Sequence, residues 1–275
     1  MTATPGAFDG ERVGFFTDTT LCIGCKACEV ACKEWNHVPE DGLNFLGHSY
    51  DNSGALGAST WRHVAFVEQR VISDPIGSAA DSERADGAVE WLMSSDVCKH
   101  CTHAACLDVC PTGAILRTEF GTVVVQEDIC NGCGYCVVAC PFGVIDQREG
   151  DGRAWKCTLC YDRLRGGLEP ACAKACPTES IQFGRLSELR ARSERRVTTL
   201  HDAGIDEARL YLEDEDDGIG GAGAFFLLLD EPEAYGFPPV PVDATRDLAS
   251  CWKAAGIAAG ALVAGTIAAF IGGRR

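Results

Sequence analysis

The sequence predicts an α+β protein that ends in a single transmembrane helix. Short apolar and β-branched runs alternate with Gly- and Pro-rich loops and one helical stretch, a mixture typical of α+β chains. Cysteine accounts for 17 of the 275 residues, far more than a hydrophobic core requires. Residues 254–272 carry no charge. As a helix they would span about 28 Å, close to the hydrocarbon thickness of a bilayer.

Composition and charge argue against several classes of protein. Hydrophobic residues make up 46% of the chain, which indicates a folded protein. The formal net charge of −16 argues against nucleic acid as a partner, because phosphate binding needs a basic surface. A disulfide framework is disfavoured by the chain length, by the odd cysteine count and by an N-terminus without the apolar stretch of a secretory signal.

Sixteen of the cysteines fall into four quartets along the chain. Quartets one and three have the C-x2-C-x2-C-x3-C spacing of bacterial ferredoxins, in which three thiolates on a tight loop reach three irons of one cube. Proline follows the last cysteine of every quartet except the first, where Lys33 stands instead. In chain order, the quartets are Cys22, Cys25, Cys28 and Cys32; Cys98, Cys101, Cys106 and Cys110; Cys130, Cys133, Cys136 and Cys140; and Cys157, Cys160, Cys172 and Cys176.

Zinc is the alternative against which these quartets must be weighed. Structural zinc sites usually have two cysteine pairs separated by a longer loop. In quartets one and three a third cysteine follows only two residues after the second, which would crowd a tetrahedral ion. Quartets two and four have a longer gap and could by themselves be zinc knuckles. Beside the other two they are better explained as ferredoxin motifs with insertions, so the sequence predicts four [4Fe–4S] clusters.

The pairing of the quartets follows from a crossing rule. In two-cluster ferredoxins, the fourth cysteine of each motif binds the cluster of the other motif. Quartets two and three are neighbours, joined by a predicted hairpin within residues 112–128, and we therefore pair them; quartets one and four then pair with each other. This predicts set A (Cys22, Cys25, Cys28, Cys176), set B (Cys157, Cys160, Cys172, Cys32), set C (Cys98, Cys101, Cys106, Cys140) and set D (Cys130, Cys133, Cys136, Cys110).

The pairing predicts two fused ferredoxin-like dicluster units, one inserted in the other. The insertion between the first two quartets holds strand candidates at 61–71 and 88–93, and it could cover a cluster or contact a partner. A helix is predicted from Leu186 to about Ala203, and the apolar run 224–229 is predicted to be a buried strand. The predicted units are 1–32 with 141–185 (outer), 33–97 (insertion), 98–140 (inner), 186–235 (helix and strand extension), 236–253 (Pro-rich linker) and 254–272 (transmembrane helix).

The terminal apolar stretch has the features of a membrane span that packs against another helix. Trp252 and Lys253 flank one end, and Arg274 and Arg275 flank the other, as interfacial residues do. Small residues recur at four-residue spacing, which lets helices approach closely in lipid; they are Gly256, Gly260, Ala261 and Gly265. A buried helix of a soluble protein is the alternative. The leftover Cys251, just before this stretch, is either an ordinary small residue or a lipidation site.

Four lysines near the quartets could tune cluster potentials through charge and hydrogen bonds, or could be ordinary solvated side chains; they are Lys26, Lys33, Lys99 and Lys156. No nucleophile–base pair or nucleotide loop stands out. We therefore expect an electron-transfer role without a bond-making site in this chain.

Three stretches resemble a known family: "CIGCKACEVACKEWN", "CNGCGYCVVACPFGV" and "WKCTLCYDRLRGGLEPACAKACPTESIQFG". They are similar to the β (iron–sulfur) subunit of the membrane-bound respiratory formate dehydrogenases, and the resemblance covers nearly the whole chain. The quartets alone are shared with subunits of nitrate, sulfoxide and polysulfide reductases. The C-terminal anchor narrows the resemblance to formate dehydrogenase.

The resemblance implies a place between two partners in anaerobic respiration. A molybdopterin-containing catalytic subunit, with molybdenum or tungsten, would oxidise formate, and a membrane cytochrome b subunit would pass the electrons to quinone. The corresponding subunit of a membrane-bound hydrogenase is the closest alternative. A zinc-organised scaffold and a stand-alone iron–sulfur enzyme are alternatives from other classes. The latter would need an open iron, and all sixteen quartet cysteines are available to the four clusters.

Membrane sidedness is a further expectation. The basic pair at the C-terminus favours the cytoplasmic side for that end, which places the cluster domain on the extracytoplasmic face of the cell membrane. Since "MTATPGAFDGERVG" has no twin-arginine leader, we expect export of the folded chain with a partner that carries the signal. Digestion of the subunit by protease only in inside-out vesicles would contradict this expectation.

Overall fold

A computed structural model describes residues 11–42, 50–51, 53–70 and 89–272. Arg274 and Arg275, the predicted flank of the membrane span, lie outside the described residues. The strands are β1 (Val13–Asp18), β2 (Arg62–Arg70), β3 (Val89–Val97), β4 (Ile115–Arg117), β5 (Val123–Val125), β6 (Asp146–Gln147), β7 (Ala154–Trp155), β8 (Ile181–Arg185), β9 (Arg209–Tyr211) and β10 (Ala224–Leu228). The helices are α1 (Ala27–Asn36), α2 (Ala105–Asp108), α3 (Tyr135–Ala139), α4 (Tyr161–Arg165), α5 (Ala171–Lys174), α6 (Leu186–Asp202) and α7 (Leu248–Gly272).

A four-stranded mixed sheet joins the two ends of the outer unit. Its strand order is β8-β1-β10-β9, with β1 parallel to β10 and the other neighbours antiparallel. Every residue of β1 and β10 is buried, which explains why β10 is a continuous apolar run rather than an alternating pattern; in β1 the polar Thr17 and Asp18 are buried as well. Because β1 precedes quartet one and β8 follows quartet four, their pairing brings those quartets together.

The predicted helix and buried strand of the extension are confirmed. The helix α6 packs against β1 and β8 and buries Leu186, Leu189 and Leu200. Its chain continues through β9 to β10, which enters the sheet beside β1. The extension therefore completes the sheet of the outer unit and is not a separate layer.

The predicted hairpin between quartets two and three is also confirmed. Strands β4 and β5 pair antiparallel, with Ile115 opposite Val125 and Arg117 opposite Val123. The turn between them contains Gly121 at φ +75°, a left-handed conformation that favours glycine. Ile115 and Val123 point into a core that also contains Cys136.

The insertion forms a long hairpin that lies against the cysteines. Strands β2 and β3 pair antiparallel from Arg62 opposite Val97 to Arg70 opposite Val89. The second strand continues four residues past its predicted end at 93, because it stays paired with β2 up to quartet two. Val64 and Val97 pack in the same core as Cys28. The hairpin therefore covers a predicted cluster region, which is one of the two roles that the sequence allows for it.

The boundary between the units differs from the prediction. The sequence assigns the residues after Cys140 to the outer unit, yet Ile145 and Ala154 pack in the core of the inner unit beside Ile115. The reason is that the chain returns over the inner unit through the β6–β7 pair before it reaches quartet four.

The predicted linker is docked on the domain, and the terminal helix starts early. Phe237 is buried and stacks on Tyr211, with ring centroids 5.4 Å apart, and the Asp243 amide donates to the Gly218 carbonyl at 3.3 Å. The helix α7 begins at Leu248 rather than at 254, because 248–253 lack Gly and Pro and continue the same helical ladder. It is exposed along its length and is long and apolar enough to cross a membrane, with a mean hydropathy of 2.0.

We expect Gly14→Ala to destabilise the protein. A Cβ at Gly14 would lie 2.6 Å from a methyl of Leu186 and would also clash with the Gly223 backbone, so the sheet or α6 must shift. Overpacking of this kind costs about 1–3 kcal/mol, or a melting temperature lower by several degrees. Thermal unfolding followed by circular dichroism would measure it. Gly57→Ala is the matched control, since its Cβ would meet nothing closer than 3.9 Å. Equal melting temperatures for the two variants would contradict the packing of α6 on β1.

Candidate metal centres

The structure places twelve of the sixteen quartet cysteines around three cavities. Sets A, C and D each line a separate cavity, and in every case the fourth cysteine comes from the paired quartet. Thus Cys140 faces the second quartet, Cys110 faces the third, and Cys176 faces the first. The helices α2, α3 and α5 place these fourth cysteines, because each ends shortly before the cysteine that crosses.

Set B is the most enclosed of the four. All four of its cysteines are buried. The pKa of Cys32 is raised well above its ordinary value, first by burial and then by the charges of Cys157, Cys172 and Cys160. The Asn36 amide nitrogen lies 3.7 Å from the sulfurs of both Cys32 and Cys160, so cysteines of quartets one and four meet at set B.

A shared backbone feature shapes the four loops. The residue before the second cysteine of each quartet has a positive φ: Gly24 at +64°, His100 at +46°, Gly132 at +71° and Leu159 at +58°. Glycine adopts this conformation freely, whereas other residues cost roughly 1–2 kcal/mol there. His100 and Leu159 are both almost fully buried, and the His100 ring accepts a hydrogen bond from the Val123 amide at 3.0 Å. Tertiary contacts therefore hold the two loops that lack glycine.

The absence of proline after quartet one has a structural consequence. At Lys33 the chain continues as α1 for another turn and ends at Asn36. The Asn36 side chain donates to the Cys32 carbonyl at 2.9 Å and lies 3.7 Å from the sulfurs of both Cys32 and Cys160. Asn36 thus adds a polar contact to set B. Its position one helical turn after Cys32 is the only signal of this contact in the sequence.

Arg62 is a second residue that sequence reasoning missed. It is fully buried, and its Nη2 donates to the Cys172 sulfur at 3.3 Å. Its Nη1 donates to the Ser95 carbonyl at 3.1 Å, and the Ser95 hydroxyl lies 3.2 Å from the Cys28 sulfur. Burial lowers the pKa of Arg62, but the charges of the surrounding thiolates, led by Cys172 and Cys28, raise it by more, so the pKa is raised overall. Arg62 thus lies between sets A and B.

Lys156 is one of the four lysines that could tune cluster potentials, and it lies among the cysteines of sets B and C. It is buried, it donates to the carbonyls of Val123 and Cys157, the latter at 3.1 Å, and it lines the cavity of set C. Burial lowers the pKa of Lys156, and the charges of Cys98, Cys106 and Cys157 raise it by more. Lys156 therefore lies where sets B and C meet.

The other three predicted lysines have partners of their own. Lys26 pairs with Glu29 and Asp51 at 3.3 and 3.4 Å, and Lys33 donates to two backbone carbonyls. Lys99 is buried, but it forms an ion pair with Asp96 and lies over three aromatic rings. Lys26 and Lys99 still line the cavities of sets A and C.

The four sets lie in the order A, B, C, D. Arg62 joins sets A and B, since it donates to Cys172 and reaches Cys28 through Ser95. Lys156 lines the cavity of set C and donates to the Cys157 carbonyl of set B, and cysteines of sets C and D share one core. The thiols at the two ends of this row are the most accessible, since Cys25 in set A and Cys133 in set D are exposed. The row is therefore enclosed in its middle and open at both ends.

The arrangement of the thiols fits cubes better than single ions. A zinc ion, with Zn–S distances of about 2.3 Å, draws its four sulfurs to one point. Across 11–42, 50–51, 53–70 and 89–272, no three His, Cys, Asp or Glu side chains are gathered as ligands of one ion. The cysteines of sets A, C and D surround cavities instead, as four thiolates do when each binds one iron of a [4Fe–4S] cube.

We expect Gly132→Ala to lower the iron content of the purified protein. A Cβ at Gly132 would lie 2.5 Å from the Gly152 carbonyl oxygen, and φ is +71°, so the loop that holds Cys130 and Cys133 must move. Iron analysis and the visible absorbance near 400 nm would measure the loss. Gly150→Ala also has a positive φ but open space around its Cβ, and it should retain its iron. Full iron in Gly132→Ala would contradict the role of this close contact.

Two family models match this chain, and both are described as a 4Fe-4S dicluster domain. One matches residues 89–186 and the other residues 21–114. The two matches overlap, and together they contain all four quartets.

The chain is also similar to curated proteins over most of its length. The formate dehydrogenase iron-sulfur subunit of Haemophilus influenzae is 37% identical over 98% of this chain and 84% of its own. The nitrate-inducible formate dehydrogenase iron-sulfur subunit of Escherichia coli is 39% identical over 95% of this chain and 83% of its own. The formate dehydrogenase-O iron-sulfur subunit of Escherichia coli is 40% identical over 88% of this chain and 76% of its own.

These similarities confirm the resemblance that the sequence motifs carry. The dicluster models agree with cysteine sets that surround cavities, and the formate dehydrogenase subunits are similar over nearly the whole chain. This chain therefore belongs to the family of formate dehydrogenase iron–sulfur subunits, proteins with [4Fe–4S] dicluster domains.

Proposed function

We propose that this chain is an electron-transfer subunit that holds four [4Fe–4S] clusters, one in each of sets A, B, C and D. Each cluster supplies one-electron oxidation and reduction when it is bound. The observation that carries the proposal is the row of four cysteine sets, enclosed at B and open at A and D. Such a row fits a wire, in which the chain shields the middle from solvent and leaves both ends within reach of partners.

The exposed surfaces at both ends support docking of partner proteins. Ile23 and Val30 flank the accessible Cys25 and are 59% and 60% exposed. Near Cys133, Tyr135 is 59% and Val138 is 86% exposed. Apolar residues grouped in this way are typical of protein–protein contact sites. We propose that a molybdopterin-containing, formate-oxidising catalytic subunit binds at set A and a membrane cytochrome b subunit at set D.

The position of the anchor supports this direction. The Thr245 hydroxyl donates to the Asp108 carboxylate at 2.9 Å, just before α7 begins. Asp108 lies between Cys106 and Cys110, which belong to sets C and D. The base of the proposed membrane helix is thus attached beside sets C and D, and we propose that this half of the row delivers electrons to the membrane and its quinone.

The terminal helix is proposed to pack against the membrane partner. Its face with Gly256, Gly260, Ala261 and Gly265 is exposed, and a Cβ on any of the three glycines would meet nothing within 4 Å. Small residues at this spacing allow close helix–helix contact in lipid.

We expect about 16 irons per purified chain, four for each cluster. Pairs of cysteine substitutions test the crossing. Cys101→Ala with Cys140→Ala should damage one cluster, because both belong to set C, whereas Cys133→Ala with Cys140→Ala should damage two. Iron analysis and electron paramagnetic resonance of the reduced protein would count them. Cys251→Ala is the control and should keep all its iron. The reverse result for the two double variants would mean that each quartet holds its own cluster.

The proposed donor is tested by purifying the protein anaerobically in mild detergent with its partners. Formate should bleach the absorbance near 400 nm, because electrons would enter from the catalytic subunit, and hydrogen should leave it unchanged. Bleaching by hydrogen alone would move the assignment to a membrane-bound hydrogenase. A colourless protein that contains zinc would overturn the cluster proposal itself.

A further inference from the structure

Two buried cations flank the most enclosed cysteine set. Arg62 is 1% exposed and Lys156 is 2% exposed. Arg62 lies between sets A and B, and Lys156 lies between sets B and C. Set B is therefore the set that both cations adjoin.

Neither cation has a carboxylate partner within the part of the chain that the structure describes. The N–H groups of Arg62 are directed to Ser95 and to the Cys172 sulfur, and its Nε has no hydrogen-bond partner. The ammonium of Lys156 donates to two backbone carbonyls. An unpaired charge is costly to bury. The thiolates of the cysteine sets are therefore the counter-charges that keep these two side chains in place.

The other basic groups near the row of cysteine sets are neutralised by a carboxylate, uncharged or exposed. Lys99 lines the cavity of set C, but Asp96 neutralises it. The His100 ring accepts a hydrogen bond from the Val123 amide at Nδ1, so that nitrogen carries no proton and the ring is neutral. Arg117 contacts the loop of set C from an exposed position. Uncompensated buried positive charge is thus concentrated on the two sides of set B.

The charge of a cluster explains why this position matters. A [4Fe–4S] cube with four thiolates changes from a formal charge of about −2 to about −3 when it accepts one electron. In a dry interior this added charge is poorly solvated, so burial lowers the reduction potential, and a fixed cation within a few ångströms raises it.

We propose that Arg62 and Lys156 together raise the reduction potential of the cluster in set B, so that the enclosed middle of the wire stays reducible. The inference rests on the proposed function, since it requires a cluster in set B. Arg62 comes from the inserted hairpin and not from either ferredoxin-like unit. The insertion therefore contributes to the electronic properties of the wire as well as covering it. Both residues act through the cysteines and are positioning residues.

Redox titration followed by electron paramagnetic resonance tests the proposal in the full-length protein. Arg62→Met should shift the midpoint potential of the set B cluster, and more weakly that of set A, to more negative values. Lys156→Met should shift the midpoint potential of the set C cluster, whose cavity Lys156 lines, and also that of set B, to more negative values. A single transition should therefore move in both variants, and that shared transition identifies set B. Arg62→Lys, which keeps the charge, should keep the potential close to the wild-type value, whereas Arg62→Gln, which keeps only hydrogen bonding, should show the negative shift.

Arg196→Met is the matched control. Arg196 is also a cation with a buried partner, Asp18, at 2.9 Å. Its hydrogen bonds go to Asp18 and Thr20 and not to a cysteine, so its loss should lower stability without moving any reduction potential.

Iron content distinguishes a failure of the proposed function from a failure of the inference about Arg62 and Lys156. Wild-type protein with fewer than four clusters would contradict the proposed function. Four clusters in every variant with no shared shift would overturn only the inference about Arg62 and Lys156. If Arg62→Met does not retain its iron, the comparison of Arg62→Gln with Arg62→Lys decides the same question.

Discussion

The constraint on which this structure depends is the concentration of negative charge inside a small protein. Sixteen cysteines fall into four quartets, twelve of them line three cavities, and many are buried. Burial is the largest cause that raises the pKa of several of these thiols, that of Cys28 to about 11 and that of Cys106 to about 12. Buried thiolates need positive charge beside them, and the buried side chains of Arg62 and Lys156 supply part of it. Around these centres the fold consists mainly of short strands and one-turn helices.

The loops solve a second problem, which is how to turn the backbone sharply around each centre. A left-handed residue recurs before the second cysteine of all four quartets, although only two of the four residues are glycine. At His100 and Leu159 the conformation is held by burial and, at His100, by a hydrogen bond from Val123. Glycine therefore explains the left-handed conformation at two of the four positions, and long-range packing holds it at the other two.

Features that depend on local sequence could be predicted, and features that depend on long-range packing could not. Cysteine spacing, the β4–β5 hairpin, the helix α6 and the terminal apolar helix were predictable, because each depends on residues close together in the chain. Arg62 was missed because it meets Cys172 across 110 positions and looks like any polar residue of an alternating strand. The return of β6–β7 onto the inner unit and the docking of Phe237 were missed for the same reason, since tertiary contacts decide both.

The nested arrangement of the two units also has a consequence for biosynthesis. As the chain leaves the ribosome, every cysteine of sets C and D has been made once Cys140 appears. Sets A and B must wait for Cys172 and Cys176, and the sheet that joins them must wait longer still, for β8 and β10. Contacts over such long sequence separations form slowly. The inner half of the protein can therefore mature first and serve as the surface on which the outer half closes.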